Sequence, residues 1–270
     1  MNERFASNLA LVWKHLPTPW RLALALVLAS PCLLLVSVTR MPARPDSTVA
    51  VAASLRTVMP EVLREFQARG GGPVALTYGA SGDLRKQVEG GAPIDAVIFA
   101  SGKPVDALQR AGLLEAETRA TVASNRLVLI GPKGSAPVTF ATLDRLPAGE
   151  RLAIGDPGAV PAGQYAVEAL ERLGKWEAMD GRLVYGGDVA GVLAYARRGE
   201  VAAAIVYATE ARSIPDIVVH DEASGAWSPR AEVVAAATKR SGGGTGRALV
   251  KFLASAEGQA ILRRHGFGPP

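Results

Sequence analysis

The chain has 270 residues, 49% of them hydrophobic, which is enough to bury a core in one or two domains and excludes a disordered polymer. A net charge of +5 points at first to nucleic acid, but residues 1–40 hold Arg4, Lys14, Arg21 and Arg40 against Glu3 alone. The 26 basic and 24 acidic residues after them are spread along the chain, which excludes the clustered positive field of a nucleic-acid binder.

Residues 22–39, LALALVLASPCLLLVSVT, carry no charge and are flanked by Arg21 and Arg40. They read as an export signal or a membrane anchor, with the basic flank keeping the N-terminus cytoplasmic and carrying the remainder across the membrane. Cys32 is the only cysteine, so the exported part has no internal disulfide, cysteine metal cluster or cysteine nucleophile.

After a Pro- and Arg-bearing linker, short apolar runs alternate with helical patterns. Residues 48–53 predict a strand and 55–67 a helix with Val58, Val62, Leu63 and Phe66 on one side. Strands follow at 74–78 and 95–99, with helices over 82–89 and 104–111. Further strands are predicted at 127–130, 152–154, 182–185, 203–207, 217–219 and 233–237, and helices at 163–173 and 189–198, with a closing helical pair over 245–265. Strand alternating with helix predicts α/β lobes around parallel, doubly wound sheets. The expected division is a leader and linker over 1–45, lobe 1 over 46–126, lobe 2 over 127–234, and a return to lobe 1 over 235–270.

In open α/β sheets ligands sit beyond the carboxyl ends of strands, where helices begin. Four such junctions stand out: Ala52-Ala53-Ser54-Leu55, Gly79-Ala80-Ser81-Gly82, the stretch from Asp156 to Gly163, and Gly186-Gly187-Asp188-Val189. Each carries a small or hydroxyl residue and none carries Lys or Arg. Taken singly, Ser54 and Ser81 read first as plain helix N-caps; four such junctions in one chain give weight to a second reading. Alternatively, several helix starts together present free N–H donors and partial positive charge, which suit a small dianion without any cationic side chain. Asp156 and Asp188 read as turn or capping residues.

Catalytic patterns are weak. His15, His220 and His265 give neither a metal-ligand spacing nor a Ser/His/Asp grouping, and Gly79-Ala-Ser-Gly82 breaks the nucleophile-elbow pattern at Asp83. The glycine runs at 70–72 and 242–244 match no phosphate-binding or dinucleotide fingerprint and read as turns.

The order Ala-Ala-Ser-Leu, Gly-Ala-Ser-Gly-x-Leu, then Gly-Asp-Pro-x-x-Val-Pro-Ala-Gly-x-Tyr-Ala, with Leu173-Gly174-Lys175-Trp176 and Ile205-Val206-Tyr207 following, resembles the periplasmic molybdate-binding proteins of ABC transporters. The resemblance implies a two-lobed periplasmic solute-binding fold with a hinge between the lobes. It implies that Ser54 and Ser81 from one lobe, and Ala162, Val189 and Tyr207 from the other, hold a tetrahedral oxyanion, molybdate or tungstate. Molybdenum would be bound only as that oxyanion. It further implies no catalysis, no cofactor, a monomer, delivery to an ABC permease in the membrane, and a place in the periplasm or on the outer face of the cytoplasmic membrane. Rival readings are a receptor for sulfate or another oxyanion, a membrane-tethered oxyanion sensor, and a hydrolase using Ser54 or Ser81. Tyr207 also reads as a strand-end tyrosine packed on the core.

Overall fold

The computed structural model describes residues 47–270 apart from 213, 241 and 243. The apolar segment 22–39 lies outside the described residues. Lobe 1 contains β1 (Ser47–Ala52), β2 (Val74–Gly79), β3 (Ala96–Phe99), β4 (Ala120–Asn125) and β10 (Ala231–Ala237), and lobe 2 contains β5 (Leu127–Pro132), β6 (Leu152–Gly155), β7 (Leu183–Gly186), β8 (Ala203–Tyr207) and β9 (Ile217–Glu222). The sheet orders are β2-β1-β3-β10-β4 and β7-β6-β8-β5-β9.

Helices α1 (Met59–Ala68), α2 (Ser81–Glu89), α3 (Gly102–Arg110), α8 (Thr245–Ala254) and α9 (Ala256–Arg264) belong to lobe 1. Lobe 2 carries α4 (Pro161–Arg172), α5 (Trp176–Met179), α6 (Val189–Arg197) and α7 (Ala208–Ala211). Central strands are covered on both faces, which is why they are apolar throughout: all five residues of β8 are buried, as are Val49, Ala50 and Val51 of β1.

The sheets are mixed rather than wholly parallel. β1 pairs in parallel with β2 and β3, and β6 with β7 and β8, but β10 runs antiparallel to β3 and β4, and β5 antiparallel to β8 and β9. The two exceptions are the strands entered on crossing between lobes. Only Arg126 separates β4 from β5, and a helix-free loop precedes β10, so the handed helix crossover that keeps successive strands parallel is missing there. The expected return boundary at 234/235 falls inside β10, all of which pairs in lobe 1 from Ala231↔Asn125 onward. At the first crossing, buried Asn125 donates from Nδ2 to Thr209 Oγ1 at 2.9 Å and accepts the Arg126 N–H on Oδ1 at 2.9 Å, tying the crossing strand to α7.

Two local expectations also change. Residues 53–55 form a separate 3-10 turn and α1 begins at Met59, because Pro60 is tolerated only in a helix's first turn. β4 was not expected, since ATVASN is half polar and short of the β-branched residues that mark a strand; its partners in β10 hold it in place.

The junction from β6 to α4 is set by backbone contact. A Cβ on Gly163 would overlap the Gly155 carbonyl, and one on Gly155 would lie 2.5 Å from Val160 Cγ1. The helix start therefore rests directly on the strand end. Gly158 has no such constraint: its φ is not in the left-handed region and its nearest neighbour would be Asp156 Oδ1 at 3.2 Å. Accordingly Gly163→Ala should lower stability by ~2 kcal/mol or more, through forced backbone displacement, while Gly158→Ala costs at most about 1 kcal/mol. Urea denaturation of both variants checks this, and equal costs would contradict the contact.

Candidate functional site

Ser54, Ser81, Ala162, Val189 and Tyr207 all line one small cavity between the strand ends of the two lobes. The space is far smaller than the ~300–1,000 Å³ of pockets for drug-sized ligands, so it suits a small solute. Its wall contains no Lys, Arg or His; Asp188 is the only ionisable carboxylate on it.

Each helix start at the cavity leaves donors free. The N-cap positions of the 3-10 turn, α2 and α4 are Ala52, Ala80 and Val160, none with a side-chain hydrogen bond to the turn it opens. Ser54 and Ser81 lie inside their turns, so neither is the N-cap that the alternative reading required. Both are buried, at 6% and 0% exposure. Ser81 Oγ accepts the Ala100 N–H at 3.2 Å, which occupies a lone pair and leaves the hydroxyl proton without an acceptor among the described residues.

In α4, Pro161 takes the first position, where a missing N–H costs nothing, and Ala162 follows it. The amides of Gly163 and Gln164 bond back to the Val160 carbonyl, while Ala162 makes no backbone bond of this kind among the described residues. In α6 Asp188 is the N-cap: its Oδ1 accepts from Gly191 N at 2.8 Å, leaving the Val189 amide free at the first position. Asp156 Oδ1 accepts from Gly158 N at 2.8 Å, a turn-forming role. Both aspartates thus have the structural parts read from the sequence.

Tyr207 ends β8 with its ring buried in the core and its hydroxyl at the cavity. Oη donates to the Ala100 carbonyl of lobe 1 at 3.1 Å. The tyrosine is therefore both a core residue and an inter-lobe bond. Burial, reinforced by Tyr165 and Glu210, pushes its phenol well above the ordinary value, so it remains an O–H donor.

Sequence reading missed Ala100 and Glu210. Ala100 follows β3 directly, at the same kind of strand end as the four junctions, and its N–H and its carbonyl serve Ser81 and Tyr207 respectively. Glu210 lies in α7, immediately after Tyr207 and Thr209. Its Oε2 is buried without a partner among the described residues. Burial pushes its carboxyl up to about 8, with the Tyr207 amide opposing and the nearby Asp188 charge adding to the rise.

The described histidines are engaged elsewhere, His220 Nε2 with Ser135 Oγ at 3.1 Å and His265 Nε2 with Glu61 Oε2 at 2.7 Å. Neither borders the cavity. No cluster of three or more potential metal ligands occurs among the described residues.

Residues 47–268 match the family of bacterial extracellular solute-binding proteins. The chain is 34% identical over 226 residues to the molybdate-binding protein ModA of Escherichia coli, covering 82% of this chain and 88% of that one. It is 39% identical over 170 residues to ModA of Haemophilus influenzae, covering 61% and 67%. Among solved structures, the periplasmic molybdate-binding protein of Azotobacter vinelandii matches with a TM-score of 0.74 at 20% identity, over 83% of this chain and 99% of that one, a likeness of fold.

The Glu210 shift carries a pH consequence. Its ordinary value is 4.5 and its folded value about 8, so between them the folded protein holds a proton that the unfolded chain releases. The stability this lends is fully present below the ordinary value and is lost as pH rises through the folded one. Wild type should thus lose melting temperature relative to Glu210→Gln between about pH 5 and about pH 8.5. A gap between the two proteins that stays constant over that range would show that Glu210 does not titrate this way.

Proposed function

Since this chain belongs to the bacterial extracellular solute-binding proteins, we propose that it captures molybdate, and also tungstate, outside the cytoplasm and passes it to an ABC permease in the membrane. It is a binding protein and not an enzyme by family. The observation that carries the ligand reading is the cavity wall: free helix-start amides, two buried uncapping serine hydroxyls and a tyrosine hydroxyl, with no cationic side chain.

In this reading the Ala162 and Val189 amides and the Ser54 and Ser81 hydroxyls donate to the four oxygens. The partial positive charge of the helix starts balances the dianion. Tyr207 donates from lobe 2 by turning its proton away from the Ala100 carbonyl, or holds the lobes together through it. Relatives described as molybdate-binding support the choice of ion. The protein acts as a monomer, without a cofactor, and segment 22–39 exports or anchors it.

Calorimetry of residues 46–270 against molybdate, tungstate, sulfate and phosphate tests the reading. Phosphate should bind far more weakly than molybdate near neutral pH. It keeps a proton there that needs an acceptor, and the bordering carboxylate, Asp188, has Oδ1 engaged as a helix cap. Equal affinity for the two ions rejects this donor-only site, and preference for sulfate transfers the protein to a different oxyanion.

Ser81→Ala and Tyr207→Phe should each weaken molybdate binding by roughly tenfold to a hundredfold, the range for losing one hydrogen bond to a charged group. In Tyr207→Phe the loss should appear in the release rate, because its hydroxyl meets lobe 1 only when the lobes are closed. Stopped-flow mixing separates the two rates; an unchanged release rate would leave Tyr207 as a core residue only.

A further inference from the structure

The lobes meet at a second point beside the cavity. Gly82, the second residue of α2, donates its N–H to the Ala159 carbonyl of lobe 2 at 3.0 Å. A Cβ built on Gly82 would stand 2.8 Å from that carbonyl oxygen and 2.9 Å from the Ala159 Cα. Both atoms are backbone, so no rotamer change could clear them.

The opposing loop is poorly able to yield. The Ala159 and Val160 amides both bond to the Asp156 carbonyl, at 3.1 and 2.7 Å, and Gly158 N bonds to Asp156 Oδ1. Gln164 Nε2 holds the Pro157 carbonyl at 3.0 Å, and Pro157 and Pro161 restrict the backbone on either side. Moving Ala159 outward would also move the start of α4, whose Gly163 rests on Gly155.

Resting on the oxyanion reading above, we propose that Gly82 sets how far the lobes close on the ion. It is a positioning residue and not a ligand: its amide bonds to Ala159, and its missing side chain lets the first turn of α2 approach lobe 2. Ser81 immediately before it and Ala162 three residues beyond Ala159 are thereby brought to one cavity. With a methyl group at 82 the lobes stop short, and donors on opposite sides cannot reach the same ion together.

The two consequences of Gly82→Ala have opposite signs, which separates this role from ordinary packing. The φ of Gly82 is not in the left-handed region, and alanine is the better helix former, so the free protein should melt at the same temperature or higher. Binding should weaken by roughly fivefold to tenfold or more, the equivalent of the lost cross-lobe hydrogen bond alone, mainly through faster release. Lys86→Ala, on the exposed side of the same helix, should leave binding unchanged.

The experiment compares wild type, Gly82→Ala and Lys86→Ala by calorimetry and stopped-flow with molybdate, by melting of the free proteins, and by hydrogen exchange across 80–84 and 156–160 with and without the ion. Expected are weaker binding and lost protection in these two segments for Gly82→Ala alone, without loss of free-protein stability. Wild-type affinity and protection in Gly82→Ala overturns the proposal, as does a loss of affinity that accompanies an equal loss of free-protein stability. Should wild type bind none of the anions, the ligand reading fails instead. Exchange in the ion-free proteins still decides the closure contact: a wild type without protection at Gly82, or a Gly82→Ala variant protected as strongly as a protected wild type, overturns it.

Discussion

The first amides of an α-helix have no carbonyl within the helix to bond, and around this cavity those amides are left without the usual substitute. Ala80 and Val160 stand at N-cap positions where an oxygen-bearing side chain would accept from the second or third amide. Leaving a helix uncapped costs about 1 kcal/mol. Asp188 does cap its helix, but through Gly191, so the Val189 amide is spared. In the proposed reading a bound anion would complete several helix starts at once and serve as their common cap. Small residues, Ala52, Gly79 and Ala100, border the cavity at the strand ends.

The same arrangement makes binding a property of two lobes rather than one. A single residue shows how: Ala100 donates its N–H to Ser81 within lobe 1, while its carbonyl accepts from Tyr207 of lobe 2. A hydroxyl of α2 and a phenol of β8 are therefore both held at the same backbone residue. The crossings between lobes are narrow by comparison, with Arg126 alone linking β4 to β5 and the buried Asn125–Thr209 bond beside it. Narrow crossings and a contact surface rich in backbone donors are what a hinge closing on an ion requires.

Much of this was legible in the residues. The alternation of apolar runs and helical patterns located nine of the ten described strands, and hydroxyl or small residues at strand-to-helix junctions marked all four walls of the cavity. What escaped acts through backbone or through the meeting of distant segments. β4 is a strand because β10 pairs with it, and the antiparallel direction of β5 and β10 comes from the crossings, which no local periodicity encodes. Ala100 contributes its backbone N–H and carbonyl, and Glu210 a buried carboxyl whose surroundings come from other elements, so neither has a local signature. The Ser54 and Ser81 alternatives were separated only by geometry, since a serine at the N-cap and a serine one or two positions beyond it look alike in sequence.

The acidic groups near this anion site raise an apparent contradiction that their surroundings resolve. Three α-helical starts supply at most about +1.5 charges in total, and two free carboxylates beside them would cancel most of that. Asp188 caps α6 by accepting from Gly191 N, at the end of the helix where its partial positive charge is strongest. Glu210 is handled differently: burial and the Asp188 charge hold it protonated at neutral pH, so it adds no negative field behind Tyr207. The site consequently keeps its positive potential without any lysine or arginine. Its donors are fixed by backbone geometry, so it favours an ion with acceptors on every face and no proton of its own, which is the chemistry of a fully deprotonated tetrahedral oxyanion.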